Sequence, residues 1–435
     1  MASAVSPPPV DDTLLPKPHP PAPPQSTEQR EQCFASAAVD VQERGASHLK
    51  VLGLATVWRL TRGAGQSVAV IDTGVSRHRL LPHLIPGGDY VFTGDGTEDC
   101  DGHGTIVAGI IGAAGNSADP NAFRGVAPDA AIITIRQSSN KFGPAGEPAA
   151  TGYGDVDTLA MAVRTAADMG ATVINVSSVA CVSVADALDD RALGAALAYA
   201  VDIKNVVVVA AAGNVGGPGQ CPDQNPADPA RPGQPGWDTV KVTVSPAWYD
   251  DYVLTVGSVG PSGAPSQFSL AGPWVDVAAP GEEIVSLDPD GEGLVDTLPA
   301  VGEAMPISGT SYAAPVVSGV AALVRARSPY LTARQVMQRI EGTAHRPAAG
   351  WDPFVGHGVV DALAAVSGDT TVRPPRDRDA PRRAPSPVLG EPPDPRPRYV
   401  AFSGAAICVV VAVATVAMTA SADRLRRRRD AVTHD

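Results

Sequence analysis

Between residues 28 and 368, short runs of β-branched and apolar residues alternate with stretches whose apolar positions recur at helical spacing. The runs at 67–71, 131–136, 172–176, 206–211 and 252–256 predict strands. The stretches at 104–113, 158–169, 185–201, 311–327 and 332–341 predict helices. Strands alternating with helices make βαβ units, so the pattern predicts an α/β domain built on a central, mostly parallel sheet. Two Gly- and Pro-rich stretches, 138–154 and 216–246, predict long surface loops.

The pattern stops at both ends. Residues 1–27 carry repeated prolines, which remove backbone donors and favour extended geometry, so they predict an arm rather than a domain. Residues 369–398 are rich in Pro, Arg and Asp and predict a solvated linker. Residues 399–422 contain no charged side chain and predict a transmembrane helix across a hydrocarbon core of roughly 30 Å. The tail at 423–435 holds Arg424 and Arg426 to Arg429, and positive charge beside a span marks the cytoplasmic side. The folded domain at 28–368 is therefore expected outside the cytoplasm. Residues 1–27 contain no apolar signal-peptide core, so export leads to the expectation that the true start lies upstream of Met1.

The net charge of −13 argues against nucleic acid as a partner, which needs clustered Lys and Arg. Of the five cysteines none forms a CxxC pair, which argues against a zinc ribbon or a thioredoxin-like site. Cys408 lies in the apolar run at 399–422; Cys33, Cys100, Cys181 and Cys221 are an even number in an exported region, where disulfides form.

Four segments place reactive groups at element ends. The run SVAVID ends in Asp72 with Gly74 close behind, and functional groups in α/β sheets collect at the carboxyl ends of strands. Alone, such an Asp is usually a turn or helix-capping residue. His103 lies between Gly102 and Gly104, which let backbone pack closely around an imidazole at a helix start. Ser311 opens the stretch at 311–327, either as a simple cap or as a nucleophile whose helix aims free N–H groups at a developing oxyanion. The fourth segment ends a buried run in Gly213 and Asn214, which a turn alone would also favour. Together, in the order Asp, His, Asn, Ser, the four are specific, because the Asp, His, Ser order is that of subtilisin's triad.

Over roughly 46–366 the chain resembles the subtilisin-like serine protease (subtilase) family, through IDTGV, HGTIVAG, AAAGN, GTSYAAP and the closing GHGVVDA. The resemblance implies a three-layer subtilisin-like α/β fold and an endopeptidase acting on protein or peptide substrates through Asp72, His103 and Ser311. It implies that Asn214 donates to the oxyanion and that Ser177, Ser178 and Val179, with Ala211, Ala212 and Gly213, wall the substrate site. The Pro-rich arm, EQREQC at 28–33, Cys100 just before the histidine and the C-terminal apolar segment look like the mycosins. These are the proteases associated with type VII (ESX) secretion in mycobacteria and other actinobacteria. That resemblance implies disulfides Cys33–Cys100 and Cys181–Cys221, an arm that wraps the domain without inhibiting it, and a type VII membrane complex as partner.

Two other readings are weaker. Gly309-Thr310-Ser311 is near the nucleophile elbow of α/β-hydrolases, but Asp352 and His357 would then have to serve and no suitable strands follow the serine. The acidic stretch DPDGEG at 288–293 lacks the remaining ligands of a calcium loop, so no metal and no cofactor is expected. A structural role in the secretion complex, with proteolysis secondary, is the alternative function.

Overall fold

Burial on two faces turns the apolar runs into strands. The computed structural model describes residues 5–35, 47–115, 119, 122–147, 150, 152–186, 188–217, 219–228, 230–298 and 304–368. Seven strands form the central sheet: β1 (Ser67–Asp72), β2 (Leu84–Asp89), β3 (Ala131–Arg136), β4 (Val173–Val176), β5 (Val207–Ala211), β6 (Leu254–Val259) and β7 (Val275–Pro280). They lie in the order β7-β6-β5-β4-β1-β3-β2, and every neighbouring pair is parallel. Helices α1 (His103–Gly112), α2 (Val156–Asp168), α3 (Arg191–Ala198), α4 (Thr310–Arg327) and α5 (Ala333–Thr343) complete the layers. Helix α2 packs on α3, and α1 packs on α4. With helices on both faces a strand needs no polar side, and every residue of β5 is buried.

Helix α4 is the centre of the molecule. Its residues from Tyr312 to Val324 are buried, and it packs across β1, β4, β5, β6 and β7. A helix surrounded in this way is apolar on every side instead of along one stripe.

The five predicted strands are the five interior strands of the sheet, while β2 and β7 at its two edges escape the pattern. Their sequences, LIPGGD and VDVAAP, contain Pro, which removes a ladder donor and is tolerated at edges. The strand expected at 252–256 starts two residues later, because Tyr252 and Val253 turn back to the Tyr249 carbonyl. The helix expected at 185–201 is shorter: α3 starts at Arg191 and passes into a π-helical turn at Tyr199–Ile203. The residues before it belong to the exit of a strand, Ala180–Ser183, which pairs antiparallel with Val242–Ser245. That pairing, with Thr27–Gln29 against Phe142–Pro144, also corrects the two long loops, each of which contributes a strand.

The arm lies against the domain. Val5 N–H donates to the Trp237 carbonyl at 3.1 Å, His19 stands edge-on to Tyr90, and Arg164 donates to the Pro16 carbonyl. Cys33 is bonded to Cys100 and Cys181 to Cys221, with sequence separations of 67 and 40. Closing loops of that size contributes about 2–4 kcal/mol each. Among the described residues no helix is long and apolar enough to cross a membrane; the linker at 369–398, the 399–422 segment and the basic tail lie outside the described residues.

Candidate active site

The strand order reverses between β1 and β4, and a reversal of this kind leaves a crevice beyond the carboxyl ends of the strands. Asp72 ends β1 in that crevice and is fully buried. Its Oδ1 accepts from Thr73 N–H at 2.8 Å and lies 2.7 Å from His103 Nδ1. A carboxylate only accepts, so Nδ1 carries the proton of this contact and Nε2 keeps a lone pair. The approach of α1 to β1 requires glycine: a Cβ on Gly104 would lie 2.0 Å from the Gly74 carbonyl oxygen and 3.2 Å from Asp72 Cβ.

His103 opens α1 with 26% of its side chain exposed. Burial pulls its pKa down, but the charge and hydrogen bond of Asp72, aided by Asp99 and Asp101, push it up, and the net direction is upward. The Tyr312 ring packs beside the imidazole, 5.2 Å between centroids.

Ser311 lies in the first turn of α4, where backbone N–H groups have no intrahelical acceptor. Four residues on stands Pro315, which has no N–H to give to the Ser311 carbonyl. Ser177 Oγ donates there instead, at 2.8 Å. It is held in turn by Asn175 Nδ2 at 2.9 Å, while Asn175 Oδ1 accepts from Ser318 Oγ at 2.8 Å. The nucleophile candidate is therefore tied through the end of β4 to the third turn of its own helix.

Asn214 follows β5, with Gly213 at φ 99° between them. Its Oδ1 accepts from both Thr310 N–H and Thr310 Oγ1, each at 3.0 Å, and among the described residues Nδ2 donates to no acceptor. A Cβ on Gly309 would lie 3.1 Å from Ser311 Oγ and 3.5 Å from Asn214 Nδ2, so the bare glycine leaves hydroxyl and amide bordering one space. Ser311 Oγ makes no hydrogen bond to His103 among the described residues; such contacts often tighten only with substrate in place.

His103, Asn214 and Ser311 line one groove of about 1110 Å³, with Asp72 buried behind the histidine. Of the expected walls, Ser177, Ser178 and Val179 line it. Ala211, Ala212 and Gly213 are buried behind the lining; Ala212 N–H donates to the Val256 carbonyl, Gly213 N–H to the Thr310 hydroxyl, and the Gly213 carbonyl accepts from Leu270 N–H. Both residues of the Cys181–Cys221 disulfide border the groove. Sequence reasoning missed the far walls, among them Phe34 just after Cys33, Gln137, Lys141, Tyr153 and Leu298. The loop carrying Lys141 is fastened at two points. Asp101 accepts from the Ser139 hydroxyl and from Asn140 N–H, and Lys141 pairs with Glu31, in the segment that follows the arm, at 2.7 Å.

A buried carboxylate on a histidine, with a serine and an amide at the mouths of one all-parallel sheet, is the layout of a serine protease of subtilisin architecture. A model of the Subtilase family matches residues 63–358. Mycosin-4 of Mycobacterium tuberculosis is 60% identical over 441 residues, covering 100% of this chain and 95% of that protein. The chain belongs to the subtilase family and, within it, to the mycosins. A solved MycP3 protease from the type VII (ESX-3) secretion system is 44% identical with a TM-score of 0.77, over 84% of this chain and 100% of that one. A chain in the periplasmic assembly from the ESX-5 inner membrane complex is 42% identical with a TM-score of 0.79, over 90% of this chain and 100% of that one.

Proposed function

We propose that this serine protease is membrane-anchored and extracytoplasmic, cleaves proteins exported by a type VII secretion system, and uses Asp72, His103 and Ser311 as its triad. The observation that carries the reading is the 2.7 Å contact of His103 Nδ1 with Asp72 Oδ1 beside the groove that holds Ser311 and Asn214. Ser311 Oγ attacks the scissile carbonyl while His103 Nε2 takes its proton and later returns it to the leaving amine; Asp72 holds the tautomer and stabilises the imidazolium. Asn214 Nδ2 and the Ser311 N–H donate to the oxyanion. The small side chains of Ser177 and Ser178, with Val179, fit an apolar residue before the cut.

The uncharged run at 399–422 followed by arginines supports a single span with the tail inside. The ESX settings of the mycosin structures support a type VII complex as partner. A second reading, a component that chiefly stabilises the secretion complex, is favoured by the relative found within the ESX-5 assembly.

Labelling of the full-length chain with a fluorophosphonate probe tests the triad: wild type should label, and Ser311→Ala and His103→Ala should not. No labelling of a folded wild type would put the structural reading first. In cells, Ser311→Ala that keeps secretion without cleavage favours the structural reading, whereas loss of secretion with complexes intact favours proteolysis.

A further inference from the structure

Asp99 has no part in the reaction just described, yet it is the most heavily bonded carboxylate near it. It is buried. Its Oδ1 accepts from Thr73 Oγ1 at 2.8 Å and Gly102 N–H at 2.8 Å. Its Oδ2 accepts from Thr105 N–H at 2.8 Å and Thr105 Oγ1 at 2.6 Å. The Thr73 hydroxyl oxygen in turn accepts from Gly104 N–H at 3.0 Å, while Thr73 N–H donates to Asp72 Oδ1.

Part of this is helix capping. The cap residue of α1, Gly102, has no side chain to satisfy the first-turn donors, and Asp99 does so from three residues back. Capping does not account for Thr73, which belongs to the turn after β1. Through that hydroxyl one carboxylate binds the residue following Asp72 to the residues on both sides of His103.

The titratable groups facing Asp99 are Asp72 from β1, His103 from α1 and Tyr312 from α4. Of these only His103 can become positive. Burial pushes the Asp99 carboxyl up to about 6 against the pull of its Thr105 and Thr73 hydrogen bonds, so it is ionised at neutral pH and loses its charge on mild acidification.

We propose that Asp99 is a positioning residue for the Asp72–His103 pair, fixing the end of β1 to the start of α1 through Thr73 and adding a second buried negative charge that favours the imidazolium. The proposal rests on the triad reading.

The test is the second-order rate of fluorophosphonate labelling of the full-length chain across acid and neutral pH. In that step the Ser311 Oγ–P bond forms, the P–F bond breaks, fluoride leaves, and the serine proton passes to His103. Asp99→Asn and Thr73→Val should each label roughly 10- to 100-fold more slowly at neutral pH, the scale of loss for a catalytic group displaced by about 1 Å. Thr73→Ser should recover most of the Thr73→Val loss. The double variant should be little slower than either single one, because both break one linkage. The acid limb should move to lower pH in Asp99→Asn, which removes the charge at every pH, and move less in Thr73→Val, which keeps the carboxyl and removes one hydrogen bond that favours its charged form. Asp99→Asn labelling within about twofold of wild type with an unmoved acid limb would overturn the proposal. Should Asp99→Asn fail to unfold cooperatively, the Thr73 pair decides: equal rates for Val and Ser overturn it. Wild type that does not label, or Ser311→Ala that does, overturns the triad reading and with it the pair that Asp99 positions.

Discussion

Asn214 is a donor because of where its oxygen is engaged. With both Thr310 donors on Oδ1, the amide cannot rotate its nitrogen away from Ser311 without stranding them. Asn214→Ala should lower kcat by about 10²–10³ with little change in KM, since the donor acts on charge that develops only in the transition state. Steady-state kinetics on a small peptide substrate check this, and Asn214→Asp, which keeps the acceptor and loses the donor, should fall as far. A loss confined to KM would remove Asn214 from the oxyanion site. At this scale the candidates at strand and helix ends were legible, because a polar residue that closes an apolar run stands out. Asp99 was not: an acid in the loop EDCDG has no periodic context, and its importance comes from Thr105 at the start of the next helix and from Thr73, 26 residues away and adjacent only after folding.

The helix that carries Ser311 is itself modified by one residue. Pro315 withholds the N–H that would have paired with the Ser311 carbonyl, and Ser177 replaces it from β4. Ser177→Ala should therefore cost about 1 kcal/mol by removing the donor to a part-buried carbonyl. Adding Pro315→Ala should restore most of that stability, because the new N–H at 315 can bond within α4. Denaturant unfolding of the two single variants and the double variant checks the rescue; additive losses would mean that the carbonyl finds no helical partner. The five interior strands were legible because burial on both faces demands uninterrupted apolar runs. Edges β2 and β7 were not, since an edge tolerates Pro86 and Pro280 and so loses the signature. Helix α3 was read too long for a related reason: its Ala-rich approach has helical propensity, but pairing of Ala180–Ser183 with Val242–Ser245 outweighs it.

For the whole molecule, the sheet and the family were legible while the groove's outer walls were not, because Phe34 and Lys141 reach it through a disulfide and a short antiparallel ladder that no local pattern announces. Stability across pH is also a property of the whole chain. Among the described residues His48 is buried without a charged partner, and burial pushes its imidazole down to about 4. Unfolded, the ring binds a proton below about 6.5, so in this window the unfolded chain holds more protons than the folded one. The stabilisation is complete above about 6.5, declines as pH falls and is lost by about 4, a linkage effect of ~3 kcal/mol. His48→Gln should lose less stability than wild type between neutral and acid pH; equal losses in denaturant unfolding would refute the assignment. A last consequence concerns synthesis. The chain leaves the ribosome with Asp72 first and Ser311 near the end of the domain, on a helix that must be enclosed by five strands before its first turn meets the groove. Under the proposed triad, a partly made chain carries Asp72 and His103 before Ser311 is seated, so truncated chains that end before α4 should not label with a fluorophosphonate.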